Sequence, residues 1–202
     1  MSFAELYDAC WQAVSTRLDR ISGQSIAVPP RLPVGNATAG ARTADRFAVL
    51  DWLDAALELA GRHPLHELAH GLTALSEDLI WTQNAGYSAA NTTASFLDGY
   101  AYAPIAGPGA PVPVSVPICG FVLMAPGVVY ADHQHAPAEI YLVMTPGAQW
   151  RLDGAGWFDV RPGDLIRHNP WQLHATRTTD QPFLAFAGWL EAGQRDAIRF
   201  GS

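Results

Sequence analysis

Four residues in the second half of the chain have the types and the spacing of a metal site. His133 and His135 are two positions apart, so on a β-strand both would point to the same side. Glu139 shares their parity, although Pro137 is expected to interrupt the strand between them. His174 follows at the start of a later strand-like segment. A strand end, a short turn and a returning strand would bring these side chains to one interior point.

The types of these ligands indicate the class of metal. Three imidazoles and one carboxylate suit Fe²⁺, Mn²⁺, Ni²⁺, Co²⁺ or Zn²⁺, whereas Ca²⁺ and Mg²⁺ prefer oxygen ligands. The set contains no cysteine thiolate, so it is not a typical structural zinc site, and catalytic sites leave a position open for water or substrate. A single histidine in a strand is usually only a polar residue, but that reading does not explain all four positions together. We therefore predict a divalent transition metal.

The segment that carries these residues has the pattern of a β domain. From Ile118 onward, runs of 5 to 9 residues end at Gly, Pro or Asp, as in ICGFVLMAPG, EIYLVMTPG and PFLAFAGWL. Short strands at even spacing are typical of an antiparallel sandwich or barrel. Residues 118–202 are therefore predicted to form a β-barrel.

The first 83 residues have the periodicity of helices instead. Apolar residues recur every three or four positions from Phe3, which predicts a helix that ends near Gly23. A second helix is predicted to end at Gly61, and a third, between Leu65 and Leu79, to be short or broken at Gly71. This helical layer would pack on the outside of the barrel or on a second subunit, so a homodimer stays open.

Between these parts, residues 84–117 are rich in Asn, Gly, Ser, Thr and Pro. Such a composition predicts a long connection with one edge strand. The whole chain, residues 1–202, is thus predicted to be a single, mainly β domain with an N-terminal α-helical layer.

Composition and charge exclude several classes of function. Hydrophobic residues make up 49% and charged residues 15%, which is enough apolar material for a core. A net charge of −7 without a Lys/Arg cluster argues against nucleic acid and anionic membranes as partners. Cys10 and Cys119 belong to no CxxC pair and are expected to be buried free thiols. The chain start lacks a signal-peptide pattern, so a cytoplasmic location is expected.

Two further histidine patterns compete with the predicted metal site. The segment from His66 to His70 matches H-E-x-x-H, a metalloprotease helix motif in which the two histidines share a face. The match is short, it lies between Pro64 and Gly71, and no convincing third ligand follows, so we interpret these histidines as surface residues. His168 precedes Asn-Pro and could be a turn residue or a partner of a ligand, and it is left out of the predicted ligand set.

The motif around the metal residues resembles those of the cupin superfamily. Gly127, His133, His135 and Glu139 match the first cupin motif, and the second is recognisable from Gly163-Asp164 to His174. The sequence departs from the pattern at Gly147, which comes one residue late, and in lacking the usual glycine before His174. The resemblance implies a double-stranded β-helix barrel with these metal ligands.

A narrower resemblance covers residues 81 to 189. WTQNAGYS, the block from Tyr130 to Tyr141, AQW, HATRT and PFLAFAGW are similar to bacterial cupin-type dimethylsulfoniopropionate (DMSP) lyases and lyase-like proteins. Thr176 departs from it, since methionine is expected there. The resemblance implies metal-dependent β-elimination of DMSP to dimethyl sulfide and acrylate, with Tyr141 as the base and Tyr130 as a second catalytic tyrosine. Another cupin enzyme, such as a dioxygenase or isomerase, and a non-catalytic small-molecule-binding cupin remain alternatives.

The sulfonium group of DMSP would need an apolar pocket that tolerates a cation, and aromatic faces provide one. Candidate residues for it are Tyr130, Trp81, Tyr87, Trp150, Trp171 and Trp189. Because the chain has seven Trp and six Tyr, several of them must be ordinary core residues. We predict Trp81, Tyr87 and Trp189 as the pocket, with Tyr130 close to the metal.

Overall fold

A computed structural model describes residues 1–33, 47–191 and 198–201. Its helices are α1 (Phe3–Ser15), α2 (Leu53–Ala60), α3 (His66–Thr73) and α4 (Ala94–Gly99), with short 3₁₀ helices at Ala48–Trp52 and Ser76–Asp78. The strands are β1 (Leu32–Pro33), β2 (Tyr100–Ala106), β3 (Val114–Val116), β4 (Ile118–Met124), β5 (Val129–Gln134), β6 (Glu139–Val143), β7 (Ala148–Leu152), β8 (Phe158–Val160), β9 (Leu165–His168), β10 (His174–Thr178), β11 (Phe183–Trp189) and β12 (Arg199–Phe200).

Within the described residues, the strands form two five-stranded antiparallel sheets and one small pair. The first large sheet has the order β12-β5-β10-β7-β8 and the second has the order β2-β4-β11-β6-β9. Strands that are neighbours in the chain alternate between the two sheets, as β4 to β7 do. This arrangement confirms the predicted cupin barrel.

The alternation of side chains along the second sheet separates a helix-covered face from the barrel interior. On β6, Ile140 and Leu142 belong to the apolar cluster under the helices, whereas Tyr141 belongs to the interior cluster. The helices pack on this outer face, where Trp11 of α1 lies edge-on to Phe186 of β11 with ring centroids 5.6 Å apart. The apolar stripe of α1 is therefore covered by the chain's own barrel.

This packing predicts a large stability cost for shortening Trp11, which is 2% exposed. Trp11→Ala is expected to lower the free energy of unfolding by about 3–5 kcal/mol, since a large buried aromatic side chain leaves a cavity. Denaturant unfolding of the variant would measure the loss. Trp171→Ala is the matched control, because Trp171 is 41% exposed. Equal losses in both variants would contradict the assignment of Trp11 to the core.

The structure differs from the predicted helix ends for identifiable reasons. Helix α1 ends at Ser15, well before Gly23, and the chain after it instead forms β-bridges from Leu18 to Ser25 and from Asp19 to Leu165. As a result Ile21, predicted on the apolar stripe, is exposed. Helix α3 continues through Gly71, where a Cβ would lie 2.3 Å from the Met1 sulfur, so glycine serves the close approach of the chain start.

The predicted connection contains more regular structure than expected. Residues 100–106 form strand β2, the edge strand of a five-stranded sheet, where it pairs with β4, and this connection also contains helix α4 and strand β3. A close approach between the two strands depends on Gly120, because a Cβ there would lie 2.1 Å from the Ala103 carbonyl oxygen. The barrel therefore includes residues before Ile118, and the single-domain boundaries stay a prediction.

The sequence also predicts the state of the two cysteines, the cellular location and a possible homodimer. Cys10 and Cys119 are both buried and free, as predicted. In the part of the chain that the structure describes, no helix combines the length and apolarity that crossing a membrane would require. The cytoplasmic location and the homodimer stay predictions.

Candidate metal centre and cavity

The predicted ligands come together at one end of the barrel interior. His133 on β5 and His174 on β10 are direct partners in the ladder between these strands, and their ring centroids lie 4.1 Å apart. His135 follows the end of β5, and its ring centroid lies 5.1 Å from that of His174. One ring nitrogen from each of these three residues lies within 4.8 Å of those from the other two, and all three residues are buried. Glu139 on β6 reaches the same point from the opposite sheet.

Each of the three imidazoles is oriented by a backbone carbonyl. Nδ1 lies 2.8 Å from the Ala131 oxygen in His133, 2.9 Å from the Pro137 oxygen in His135 and 2.8 Å from the Gln172 oxygen in His174. A carbonyl only accepts, so each Nδ1 carries a proton, and in a neutral ring Nε2 is then the atom that offers a lone pair to a metal. Metal-binding histidines commonly have this arrangement.

The carboxylate of Glu139 contacts two of the three histidines and the indole of Trp189. Oε2 lies 3.2 Å from His135 Nε2 and 3.5 Å from His174 Nε2, and Oε1 accepts a hydrogen bond of 2.9 Å from Trp189 Nε1. His174 Nε2 is buried and has no hydrogen-bond partner among the described residues. The lone pair of His174 Nε2, beside Glu139 Oε2, could coordinate a bound cation. The donor set thus fits the divalent transition metal expected from the sequence.

His168 completes the surroundings of Glu139, although the sequence did not place it in the ligand set. It is the last residue of β9, fully buried, and its Nδ1 lies 3.1 Å from Glu139 Oε2. Its Nε2 accepts a hydrogen bond of 2.9 Å from Trp150 Nε1. This contact depends on the register between strands β6 and β9, in which Glu139 is paired with His168, and the register could not be predicted from the sequence.

The electrostatics of the cluster favour an ionised Glu139 carboxylate and neutral rings at His133 and His168. Burial, with a smaller contribution from His174, holds the pKa of His133 well below its usual range and lowers that of His168 to about 3. Burial would raise the pKa of Glu139, but His135 and the other ring donors outweigh it and hold that pKa well below its usual range. Burial alone would lower the pKa of His135, but the Glu139 carboxylate outweighs burial, so the pKa of His135 is raised.

A β-bulge brings Tyr130 to the same face as His133. The ladder pairs His174 with His133 but Thr176 with Tyr130, so two steps on β10 face three on β5. The extra residue lets two positions of opposite parity both point into the barrel. The rings of Tyr130 and His133 are stacked with centroids 3.8 Å apart.

A cavity of about 290 Å³ opens beside these residues. Its wall includes His133, His135 and Glu139 together with aromatic side chains. The aromatic members are Tyr87, Tyr100, Tyr102, Tyr130, Tyr141 and Trp189. No lysine or arginine is among the described lining residues, so Glu139 is the charged side chain of this wall.

The model of the dimethylsulfoniopropionate lyase family matches residues 25–185. The chain belongs to the DMSP lyase family. Among curated proteins, it is 33% identical over 103 residues to the dimethylsulfoniopropionate lyase DddQ of Ruegeria pomeroyi, a match that covers 51% of each protein. It is 30% identical over 144 residues to a putative dimethylsulfoniopropionate lyase DddL of Cereibacter sphaeroides, covering 71% of this chain and 59% of that protein. The matches thus span about half the length of these relatives.

Two solved DMSP lyase structures share the fold along nearly the whole chain. One, from a study of RdDddP and RnDddQII, superposes with a TM-score of 0.73 at 22% identity and covers 99% of this chain and 97% of its own. DddQ of Ruegeria pomeroyi superposes with a TM-score of 0.68 at 24% identity, with coverage of 98% and 95%. The helical layer is therefore part of the shared fold.

Within this DMSP lyase family member, the predicted aromatic residues fall in different places. Tyr87 and Trp189 line the cavity, whereas Trp81 does not and belongs to the apolar cluster between the helices and the sheet. Trp150 is buried behind the cavity against His168, and Trp171 is exposed. The sequence could not separate these tryptophans, because burial in either cluster needs the same apolar ring.

Tyr141 and Tyr130 are both buried in the interior cluster. Burial raises the pKa of each phenol well above its usual value, and for Tyr141 the carboxylate of Glu139 raises it further. The hydroxyl of Tyr130 is hydrogen-bonded to that of Tyr87. In this environment neither phenol ionises readily unless positive charge is close by.

Proposed function

We propose that this protein is a metal-dependent DMSP lyase that cleaves DMSP to dimethyl sulfide and acrylate by β-elimination. The observation that carries the proposal is the buried group of His133, His135 and His174 beside an aromatic cavity. The Glu139 carboxylate completes it, 3.2 Å from His135 Nε2 and 3.5 Å from His174 Nε2. Membership of the DMSP lyase family supports the choice of substrate. The proposed ligands are His133, His135, Glu139 and His174.

The reaction requires a base that takes a proton and positive charge that stabilises the developing negative charge, and this site can meet both requirements. A proton must leave the carbon next to the substrate carboxylate, and that proton is a poor acid because the carboxylate is already anionic. When bound, a divalent metal would supply positive charge that stabilises the developing negative charge and lowers the pKa of a nearby phenol. The candidates Fe²⁺, Zn²⁺, Mn²⁺, Ni²⁺ and Co²⁺ all accept this ligand set.

Tyr141 is the proposed base. It lies two positions from Glu139 on β6, on the same face, and it lines the cavity. Its phenolate oxygen would take the α-proton, and the electron pair of that C–H bond would form the C=C bond as the C–S bond breaks. The sulfur leaves as neutral dimethyl sulfide with the C–S electron pair. Tyr130, stacked on His133, is the proposed second catalytic tyrosine.

The rest of the cavity would hold the sulfonium group. Tyr87 and Trp189 offer aromatic faces, and a cation over such a face is stabilised by roughly 0.5–2 kcal/mol. Because no lysine or arginine is among the described lining residues, the wall does not repel a cationic group. These features favour a substrate that is anionic at one end and cationic at the other.

We expect purified protein supplied with Fe²⁺, Mn²⁺, Co²⁺, Ni²⁺ or Zn²⁺ to release dimethyl sulfide from DMSP, measured in the headspace by gas chromatography. Metal-stripped protein is the control and is expected to release none above background. Failure of every metal to raise release above this control would contradict the proposed activity. Acrylate should appear in equal amount, since one elimination forms both products.

A further inference from the structure

We propose that His168 is a positioning residue for the metal site: it donates a hydrogen bond that holds the Glu139 carboxylate, and it does not itself bind the metal. The inference rests on the proposed metal site. It matters because His168 stands as close to the carboxylate as the ligands do. A group of three formed by Glu139, His168 and His174 could otherwise be taken as a metal site of its own.

The proton positions on the His168 ring follow from its two partners. The indole N–H of Trp150 can only donate, so His168 Nε2, 2.9 Å away, must accept and cannot carry a proton. A neutral imidazole has one N–H, which must then be on Nδ1. That N–H faces Glu139 Oε2 at 3.1 Å and donates to it. Both ring nitrogens are therefore already used, and neither offers a lone pair to a metal.

The three proposed histidine ligands have the opposite arrangement. Their Nδ1 atoms face backbone carbonyls, so Nε2 is the ring atom of each that can offer a lone pair to a metal. His174 and His168 lie with rings stacked 3.7 Å apart, yet only His174 has a buried Nε2 without a hydrogen-bond partner among the described residues. Burial alone does not separate the two histidines, but the hydrogen-bond partners do.

The fold holds Glu139 from both neighbouring strands. In the sheet, Glu139 is directly paired with His168 of β9 on one side and with Trp189 of β11 on the other. His168 donates to Oε2 and Trp189 donates to Oε1, so both oxygens have a fixed donor. A carboxylate with both oxygens held loses little conformational freedom when a metal binds, which strengthens binding.

The first test is the ¹⁵N spectrum of the histidine rings of the full-length protein, recorded without metal and after addition of Zn²⁺ alone. We expect His168 to carry its proton on Nδ1 in both states. The Nε2 signals of His133, His135 and His174 should shift when Zn²⁺ binds. A Zn²⁺-induced loss of the His168 Nδ1 proton, or an Nε2 proton on His168 in either state, would overturn the inference. If Zn²⁺ shifts none of the rings, the proposed metal site fails, and the metal-free spectrum alone decides the hydrogen bond.

The second test compares two variants by competition for Zn²⁺ with a chromogenic chelator. His168→Leu removes the donor and is expected to weaken Zn²⁺ binding roughly 10- to 100-fold. His168→Asn keeps an N–H near the position of Nδ1 and is expected to bind nearly as tightly as the unchanged protein. A ligand role predicts a similar loss of Zn²⁺ affinity in both variants, since both would then lack the same coordinating nitrogen. Should the leucine variant not fold, the asparagine variant and the ring spectrum still decide.

Discussion

Tyr141→Phe is expected to lower the rate of dimethyl sulfide release from DMSP by roughly 100- to 10,000-fold, the usual effect of losing a general base. The change removes one oxygen and keeps the ring, which packs edge-on to Trp150 with centroids 4.9 Å apart. Metal content and thermal stability should therefore stay close to those of the unchanged protein. Steady-state headspace assays at saturating metal would measure the effect, together with metal analysis of the same samples.

The matched control for this prediction is Tyr7→Phe. Tyr7 lies in α1, is 2% exposed, and belongs to the apolar cluster under the helices, outside the cavity. The same loss of a buried phenol oxygen there should leave the rate nearly unchanged. A Tyr141→Phe enzyme that turns over DMSP as fast as Tyr7→Phe would show that Tyr141 is not the base.

Removal of the His174 ring is expected to have the largest effect on metal binding. His174→Ala deletes the buried Nε2 that has no other partner among the described residues. The affinity for metal should fall by more than the roughly 10- to 100-fold that loss of a hydrogen-bonding partner of a ligand causes. Release of dimethyl sulfide should fall with it. Metal analysis after dialysis and a chelator titration would measure the loss.

His70→Ala is the matched control for His174→Ala. His70 is the second histidine of the H-E-x-x-H segment on α3, where it is exposed and 5.9 Å, centroid to centroid, from the His66 ring. We expect unchanged metal content and activity. If His70→Ala lost metal while His174→Ala kept it, the proposed centre would be in the wrong place.

The positions of the proposed ligands could be predicted because strand geometry is local. A strand repeats every two residues, so Glu139 and Tyr141 had to share a face wherever the strand lay. The fold class followed in the same way from turn residues and apolar spacing, and both were visible in the sequence. Tyr87 and Trp189 line the cavity, and their role as a substrate pocket stays a prediction.

Strand pairing decided what these local patterns could not. By parity, Tyr130 and His133 should face opposite sides, and only the bulge opposite β10 turns both inward. The place of His168 likewise depends on its register with Glu139 across two strands that are far apart in sequence. Trp81 packs in the apolar cluster under the helices, whereas Trp189 lines the cavity. Which face of the sheet each tryptophan contacts is determined only in the assembled barrel.

The four proposed metal ligands, the helical layer and the β-barrel were thus determined by the sequence alone, through side-chain types and short-range periodicity. The hydrogen bonds that His168 and Trp189 donate to the Glu139 carboxylate were decided by the tertiary structure. Each of those contacts depends on the register between strands, and register is settled only when a whole sheet buries one face under the helices and the other around the cavity.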